Sequence, residues 1–229
     1  MKVLASDFDN TIYFSNDSKL TETNIKAVEK FMREGNIFCI VTGRTYMTIK
    51  EKLSELKLPY TYLICGDGAM IFDSTDYCIN RINIEKSIVE KSVEYLKEQG
   101  YDSYLEDGYN ITENLNDCIK VVAKYTDKEH AIEVVKSINE NINVYAYASR
   151  SHININNKIC NKKDALERLS EIEKIPRENI YVIGDDINDY EMLEGFKGAM
   201  ISKHNPILDG INIQKYDSLH EYIENLLEK

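Results

Sequence analysis

Two carboxylates flank one aromatic residue near the start of the chain, where Asp7-Phe8-Asp9 follows the apolar run of residues 3–5. Side chains of a strand alternate between its faces, so an extended backbone places Asp7 and Asp9 on one side and Phe8 on the other. Like charges held this close are unfavourable unless a cation or a shared proton relieves them. A polar turn at a strand end would explain the same residues without chemistry, so a functional reading needs further residues that converge on the pair.

Two later apolar segments also end in polar residues. Residues 37–41 are followed by Thr42-Gly43-Arg44, and residues 180–184 lead into the acidic segment 184–189. The carboxyl ends of parallel strands meet at one edge of a sheet, which is where open α/β sheets bind ligands. Lys162, at the start of a predicted helix, adds an ammonium group that can hold an anion together with the helix N-terminus.

Such a set of residues suits phosphoryl transfer. Oxygen ligands favour a hard cation such as Mg²⁺, which typically takes one or two carboxylates plus a substrate phosphate. One carboxylate can attack phosphorus to give an aspartyl-phosphate, and a second can protonate the leaving alkoxide and later deprotonate water. The assembled site would contain the side chains of Asp7, Asp9, Thr42, Lys162, Asp185 and Asp189.

Alternating strand and helix patterns would position these residues. Apolar spacing predicts a helix over residues 21–35, with Thr21 as its N-cap and Gly35 as its stop. The other predicted elements of this part are strands at 2–8, 37–41, 62–65 and 180–184, helices at 45–56 and 161–174, and a helix-rich tail. Strand and helix alternation is typical of a parallel α/β sheet.

The alternation breaks in the middle of the chain. The patterns there predict a hairpin at 69–82, helices at 85–100 and 127–140, and strands near 101–105, 118–125, 142–148 and 151–156. The predicted fold is therefore α/β, with a Rossmann-like parallel-sheet core of residues 1–80 and 158–229. Residues 81–157 would form a smaller inserted α+β cap domain. Arg44, Arg81, Lys120 and Lys124 are candidates to line its pocket.

With these motifs in order, the chain resembles the haloacid dehalogenase-like (HAD) phosphatases over nearly its whole length. "DFDNT" (7–11) is similar to that family's DxDGT motif, and "VTGR" (41–44) contains its second-motif threonine. Lys162 matches the third-motif lysine, and "GDDIND" (184–189) resembles the GDxxND motif. The insertion resembles the α/β cap of the Cof-like and sugar-phosphatase branch.

The resemblance implies a Mg²⁺-dependent phosphatase that hydrolyses small phosphorylated metabolites, sugar phosphates above all. It implies Asp7 as the nucleophile and Asp9 as the acid/base. The implied phosphate- or substrate-binding residues are Thr42, Gly43, Arg44, Lys162 and Asn188, and the implied metal ligands are Asp7, Asp9, Asp185 and Asp189. Three positions depart from the family pattern: Asn10 and Asp186 stand where glycine is usual, and Asp67 where asparagine is usual.

Other functions remain open at this stage. A phosphomutase of the phosphomannomutase kind would share the cap type and the aspartyl chemistry, and phosphate release against isomerisation would separate the two. A non-catalytic regulator that binds phosphorylated metabolites would not need two aspartates for chemistry. A receiver domain is disfavoured by the length of the chain and by its insertion.

The overall charge and the cysteines indicate which partners and which cellular compartment to expect. The net charge of −11 and the pI near 5.0 oppose binding to nucleic acid or to an anionic membrane surface. No segment resembles a secretion signal or a membrane span. Five scattered cysteines predict buried free thiols in a reducing cytoplasm. We expect a cytoplasmic enzyme whose partner is a small phosphorylated metabolite.

Overall fold

The structure, a computed structural model, describes residues 1–228 of the chain. Its strands over that range are β1 (Val3–Ser6), β2 (Ile37–Val41), β3 (Tyr62–Cys65), β4 (Met70–Asp73), β5 (Cys78–Arg81), β6 (Ser103–Glu106), β7 (Ile111–Thr112), β8 (Lys120–Lys124), β9 (Val144–Ser149), β10 (His152–Asn157), β11 (Ile180–Gly184), β12 (Lys197–Ile201) and β13 (Gln214–Tyr216). Its α-helices are α1 (Ser18–Arg33), α2 (Tyr46–Leu56), α3 (Lys86–Glu98), α4 (Lys128–Asn141), α5 (Lys162–Ile172), α6 (Tyr190–Gly195) and α7 (Leu219–Glu228).

The larger sheet has eight strands in the order β13-β12-β11-β1-β2-β3-β4-β5. Neighbours from β13 to β3 run parallel, and the β4–β5 hairpin adds two antiparallel strands at one edge. The central strands are apolar on both faces because a hydrophobic cluster covers each side of the sheet. Since β1 lies between β2 and β11, the loops after these three strands are neighbours.

The smaller sheet has five antiparallel strands in the order β7-β6-β8-β10-β9. Helices α3 and α4 cover one of its faces and bury side chains such as Val121, Ile153 and Ile155. The predicted fold class, a parallel-sheet core with a smaller inserted α+β cap, is confirmed. The domain boundaries at residues 81 and 157 stay a prediction; β5 of the larger sheet ends at Arg81 and β10 of the smaller sheet ends at Asn157.

The tail is less helical than its sequence suggested, because β12 and β13 extend the larger sheet there. Three residues, as in β13, are too few to display a period-2 pattern. Strand β12 contains Gly198, where a Cβ atom would collide with the backbone carbonyl of Leu193. Glycine is therefore needed for the close approach of α6 and β12. Because glycine has a low strand propensity, this segment was not predicted as a strand.

Helix α1 begins earlier than predicted. Its N-cap is Asp17, whose carboxylate accepts a hydrogen bond of 2.9 Å from the backbone N–H of Leu20. Thr21, the predicted N-cap, lies inside the helix, and its hydroxyl accepts a hydrogen bond from the N–H of Phe14 at 3.0 Å. Several of the polar residues 15–18 could cap the helix as well as Thr21 could. The choice of Asp17 follows from a tertiary contact, because the Thr21 hydroxyl is bonded to Phe14.

Two further findings concern the sequence-based expectations. All five cysteines are free thiols, four of them buried and Cys78 partly buried. None of the helices in residues 1–228 has the length and hydrophobicity that a bilayer-spanning segment requires.

Asp17→Ala should lower the free energy of unfolding by about 1 kcal/mol, because the first turn of α1 loses its capping acceptor. Urea denaturation followed by circular dichroism measures this change. Asp17→Asn is the matched control, since its side-chain oxygen can still accept the same bond. An equal loss in both variants would contradict the capping role.

Candidate active site

The loops after β1, β2 and β11 form the floor of a cavity. Asp7 directly follows β1, Thr42 follows β2 and Asp185 follows β11. Lys162, the first residue of α5, extends its side chain to Asp7 from the other direction. Asn161 caps this helix by accepting the N–H of Asp164 at 2.8 Å, which fixes where the helix begins. Sequence-distant residues thus meet at one edge of the sheet.

Lys162 is buried between two carboxylates. Its Nζ donates to Asp7 Oδ1 at 2.5 Å and to Asp189 Oδ1 at 2.7 Å, and only 1% of its side chain is exposed. Burial alone would lower the pKa of Lys162, but Asp189 and Asp7 outweigh that effect and raise it above its ordinary value. The lysine therefore remains an ammonium group at neutral pH.

Two carboxyl groups of the cavity floor, Asp7 and Asp185, have a raised pKa. Burial raises the pKa of Asp7 well above its ordinary value; Lys162 opposes the rise, while Asp189 and Asp185 add to it. Burial and the charge of Asp189 raise the pKa of Asp185 to about 7. Burial is therefore the main cause of the raised pKa of Asp7 and Asp185, and neighbouring carboxylates add to it.

Three of the four predicted metal ligands lie together. One carboxylate oxygen from each of Asp7, Asp185 and Asp189 lies within 4.8 Å of the others. The carboxylate of Asp9 is not part of this group, so its assignment as a ligand stays a prediction. A buried set of oxygen donors with excess negative charge fits a hard divalent cation such as Mg²⁺.

The loop after β11 orients Asp189 through backbone hydrogen bonds. Asp189 Oδ2 accepts the N–H groups of Asp185 and Asp186, both at 3.0 Å. A Cβ atom at Gly184 would collide with the Asp189 carboxylate, so this turn requires glycine. Asp185 in turn accepts the hydroxyl of Thr11 at 3.2 Å.

Asp9, the predicted acid/base, lies at the cavity wall and is held by arginine. Arg44 donates from Nε to Asp9 Oδ2 at 2.9 Å and from Nη2 to Oδ1 at 2.7 Å, a bidentate pair. Arg150 approaches the same carboxylate at 4.0 Å from the cap. Arg44 was predicted to bind phosphate or substrate, and here its guanidinium is engaged by Asp9.

Thr42 and Gly43 occupy the loop after β2. Thr42 is buried, and its Oγ1 accepts the backbone N–H of Arg44 at 3.2 Å. The carbonyl of Gly43 accepts a hydrogen bond from Lys120 of β8 at 3.0 Å. Both loop residues border the cavity together with Arg44 and Asn188, whereas Lys162, the fifth predicted phosphate- or substrate-binding residue, is buried against Asp7 and Asp189.

Two departures from the family pattern have clear structural roles. Asn10 has φ +61°, a left-handed conformation that asparagine tolerates better than most residues, so the turn after Asp9 is kept as predicted. The carboxylate of Asp186 accepts hydrogen bonds from Ser149 at 2.6 Å and from Asn205 at 2.8 Å. Asp186 therefore binds the cap strand β9 and lies outside the cluster of three carboxylates.

The third departure, Asp67, forms a buried ion pair with Lys120 of the cap. Asp67 Oδ1 also accepts a hydrogen bond of 3.0 Å from Asn188 Nδ2. Burial would raise the pKa of Asp67, but the Lys120 ammonium and the hydrogen bonds of Lys120 and Asn188 hold it below its ordinary value. Asp67 is therefore ionised and connects the cap to the loop after β11.

The cavity has a volume of about 250 Å³ and lies between the two sheets. The cap residues that line it are Tyr104, Glu106, Lys120, Val122, Tyr147, Ser149, Arg150, His152 and Asn154. Of the earlier candidates, Arg44 and Lys120 line it, whereas Arg81 donates to the backbone of Asp117 and Lys124 is exposed. The sequence patterns predicted strands near 118–125 and 151–156, but sequence alone did not show which of their faces meets the cavity.

The profile of the haloacid dehalogenase-like hydrolase family matches residues 4–116 and 104–208. The chain belongs to this family. A phosphatase of Buchnera aphidicola described as putative is 25% identical over 265 residues, covering 99% of this chain and 98% of its own length. A 5-amino-6-(5-phospho-D-ribitylamino)uracil phosphatase of Bacillus subtilis is 25% identical, covering 90% and 87%. A phosphoglycolate phosphatase of Saccharolobus solfataricus is 24% identical, covering 100% and 96%.

Solved structures share the HAD fold over the full chain. A haloacid dehalogenase-like hydrolase of B. subtilis superposes with a TM-score of 0.85 at 17% identity, covering 99% of this chain and 100% of the other. A HAD subclass IIB sugar phosphatase superposes with a TM-score of 0.82 at 17% identity, covering 99% of each chain. With the family match and the relatives named as phosphatases, the prediction of a HAD-like phosphatase is confirmed.

Mg²⁺ should stabilise this protein more at pH 8 than at pH 5.5. The pKa of Asp185 is raised from 3.8 to about 7 in the folded protein. Without Mg²⁺, the folded protein therefore binds more protons than the unfolded chain between pH 3.8 and about pH 7. Its stability therefore falls as the pH rises through this window. Mg²⁺ at about 100 times its Kd should raise the Tm by about 5–10 °C at pH 8. The rise should be small at pH 5.5, where protonated carboxyl groups bind metal poorly.

Thermal unfolding with and without Mg²⁺ at the two pH values measures this difference. Asp185→Asn is the control variant, since it keeps the shape of the side chain but removes one ligand charge and the titrating group. Equal stabilisation of the wild-type protein at both pH values would contradict the assignment of the three carboxylates as the metal site.

Proposed function

We propose that this HAD-family phosphatase hydrolyses phosphate monoesters of small metabolites, sugar phosphates among them, through an aspartyl-phosphate on Asp7 and with Mg²⁺. The observation that carries the proposal is the geometry at the cavity floor. Asp7 is hydrogen-bonded to buried Lys162 and lies beside Asp185 and Asp189, while Asp9 faces the same cavity two residues further along the chain.

In the first half of the reaction, an Asp7 oxygen attacks phosphorus and the bond to the substrate oxygen breaks. The leaving alkoxide takes a proton from Asp9, and the phosphoryl group remains on Asp7 as an acyl phosphate. In this proposal the hydroxyl of Thr42 and the ammonium of Lys162 would hold the phosphoryl oxygens. Mg²⁺, bound by Asp7, Asp185 and Asp189, would supply charge neutralisation between the phosphate and these carboxylates.

In the second half, water attacks the phosphorus of the acyl phosphate and gives its proton to Asp9. Inorganic phosphate leaves and Asp7 is restored, so one water is consumed for each ester cleaved. Asp9 must be free of its bidentate partner when it transfers a proton. A substrate phosphate offers the Arg44 guanidinium an alternative bidentate acceptor, which would release Asp9 as substrate binds.

The cap would act as the lid and the selector of this enzyme. We assign it residues 81–157, whose strands β6, β8, β9 and β10 supply one wall of the cavity. A wall of this kind excludes water from the reacting phosphorus when it is closed. Free and mostly buried thiols suit the reducing cytoplasm, which we propose as the location of the protein.

A panel of phosphorylated metabolites, assayed for phosphate release with Mg²⁺ and with excess chelator, tests the function. The panel includes hexose and pentose phosphates, 5-amino-6-(5-phospho-D-ribitylamino)uracil and phosphoglycolate, and sugar products are checked for isomerisation. Asp7→Asn, which leaves Lys162 paired with Asp189, is the folded control that should release no phosphate. Full turnover in chelator, or by Asp7→Asn, would contradict the proposal, and isomerised sugar phosphate would indicate a phosphomutase.

Asp9→Asn should slow hydrolysis of alkyl phosphates by about 10²- to 10⁴-fold, the usual contribution of general acid–base catalysis. The loss should be smaller for aryl phosphates, whose leaving groups need little protonation. With aryl substrates, phosphorylation of Asp7 should then outrun hydrolysis, so that a phosphoenzyme accumulates. Mass spectrometry of the peptide that contains Asp7 detects the added phosphoryl group.

Arg44→Lys is a useful control for Asp9→Asn, because it disturbs the same pair while the carboxylate is kept. It should not accumulate phosphoenzyme on aryl phosphates. Equal slowing of alkyl and aryl substrates by Asp9→Asn, with no trapped intermediate, would show that Asp9 is not the proton carrier.

A further inference from the structure

A buried ion pair joins the two sheets beside the cavity. Asp67, in the turn after β3, pairs with Lys120, the first residue of β8, and their side chains are 1% and 4% exposed. Lys120 Nζ also donates to the carbonyl of Gly43 at 3.0 Å, and Asn188 donates to Asp67 at 3.0 Å. A Cβ atom on Gly43 would lie 2.8 Å from Asp67 Oδ1, so the carboxylate is packed directly against this loop.

Lys120 lines the cavity from the cap, whereas Asp7 and Asp9 line it from the loop after β1. Its strand neighbour Glu106 is paired with it in register, and both residues line the cavity. Tyr104, Val122 and Asn154 form the next row on the same face. An ammonium group in this wall would attract a negatively charged leaving group if no other charge opposed it.

The cations that line the cavity in residues 1–228 each face a carboxylate. Arg44 is engaged by Asp9, and Arg150 lies 4.0 Å from the same residue. Lys120 is engaged by Asp67, whose position is fixed by the left-handed turn at φ +54°. Among these pairs, the one between Asp67 and Lys120 is the one whose two side chains are almost fully buried, and it joins the larger sheet to the cap.

We propose that Asp67 is a specificity-determining residue: its carboxylate cancels the charge of Lys120, so the site disfavours leaving groups that carry their own negative charge. This inference rests on the proposed phosphatase function and concerns its choice of substrate. Alcohols whose hydroxyl groups can bond to Glu106 and Asn154 would be accepted. A carboxylate or a second phosphate at the same position would meet no unpaired cation and would lie close to Glu106.

A matched substrate pair tests the proposal. Glycerol 3-phosphate and 3-phosphoglycerate share a three-carbon skeleton and differ by a carboxylate in the leaving alcohol. The measured quantity is the ratio of their kcat/KM values, neutral over anionic. Asp67→Asn should lower this ratio at least tenfold because the Lys120 ammonium then lacks its buried carboxylate partner, while Lys120→Met should raise it because Asp67 then repels the anion.

The double variant Asp67→Asn/Lys120→Met should return the ratio to within about threefold of wild type, since it removes both of the charges that oppose each other in the wild-type protein. Lys124→Met, on the same strand but exposed, is the control and should leave the ratio unchanged. General structural damage would move both single variants in the same direction. Opposite shifts of the ratio therefore reflect the change of charge and not a loss of structure. Thermal unfolding checks separately that each variant is folded.

Where a compound is not turned over, its Ki against the best substrate of the panel replaces kcat/KM in the ratio. If Asp67→Asn does not fold, the other two variants still test the proposal. Lys120→Met should raise the ratio, and the double variant should return it to near the wild-type value. Shifts in the same direction, or no shift, in an active enzyme would overturn the role of Asp67. Absence of phosphate release from the whole panel would instead overturn the proposed phosphatase function.

Discussion

The ammonium group of Lys162 is buried between Asp7 and Asp189, and the surrounding arrangement depends on that charge. An isolated ammonium in the interior is strongly unfavourable, and removing one partner of a buried pair typically costs about 3–5 kcal/mol. Asp189 is in turn oriented by two backbone N–H groups of the loop after β11. The ends of β1 and β11 and the start of α5 are therefore fixed relative to each other by one set of charges.

Local sequence patterns were sufficient for the parts of the site that lie at strand ends. Apolar runs that stop at Asp7, Thr42 and Asp185 indicate both the strands and the loops, because the signal lies within a few residues. The partner of Asp9 was different, since its contact with Arg44 depends on how two neighbouring loops pack. The pair between Asp67 and Lys120 depends on how the cap meets the core, which no pattern within either segment encodes.

Docking of the cap combines apolar and polar contacts, because Ile119 and Tyr109 of the inserted segment pack in the hydrophobic cluster of the larger sheet. Ser149 donates to Asp186, and Lys120 contacts both Asp67 and Gly43. Polar contacts of this kind lose less on exposure to water than buried apolar surface does, because water can replace the partners. The two sheets are therefore joined by buried apolar side chains together with polar pairs, while α3, α4 and the smaller sheet enclose a further hydrophobic cluster.

Strands β8 and β10 of the cap carry two kinds of side chain on alternate positions. Ile153 and Ile155 pack beneath the helices, whereas Asn154 between them faces the cavity. A mutation on the cavity face changes what the pocket accepts and leaves the packing of the opposite face intact. Selection for stability and selection for substrate thus act on different residues of the same strand, so descendants of such a chain can acquire new substrates without refolding the cap.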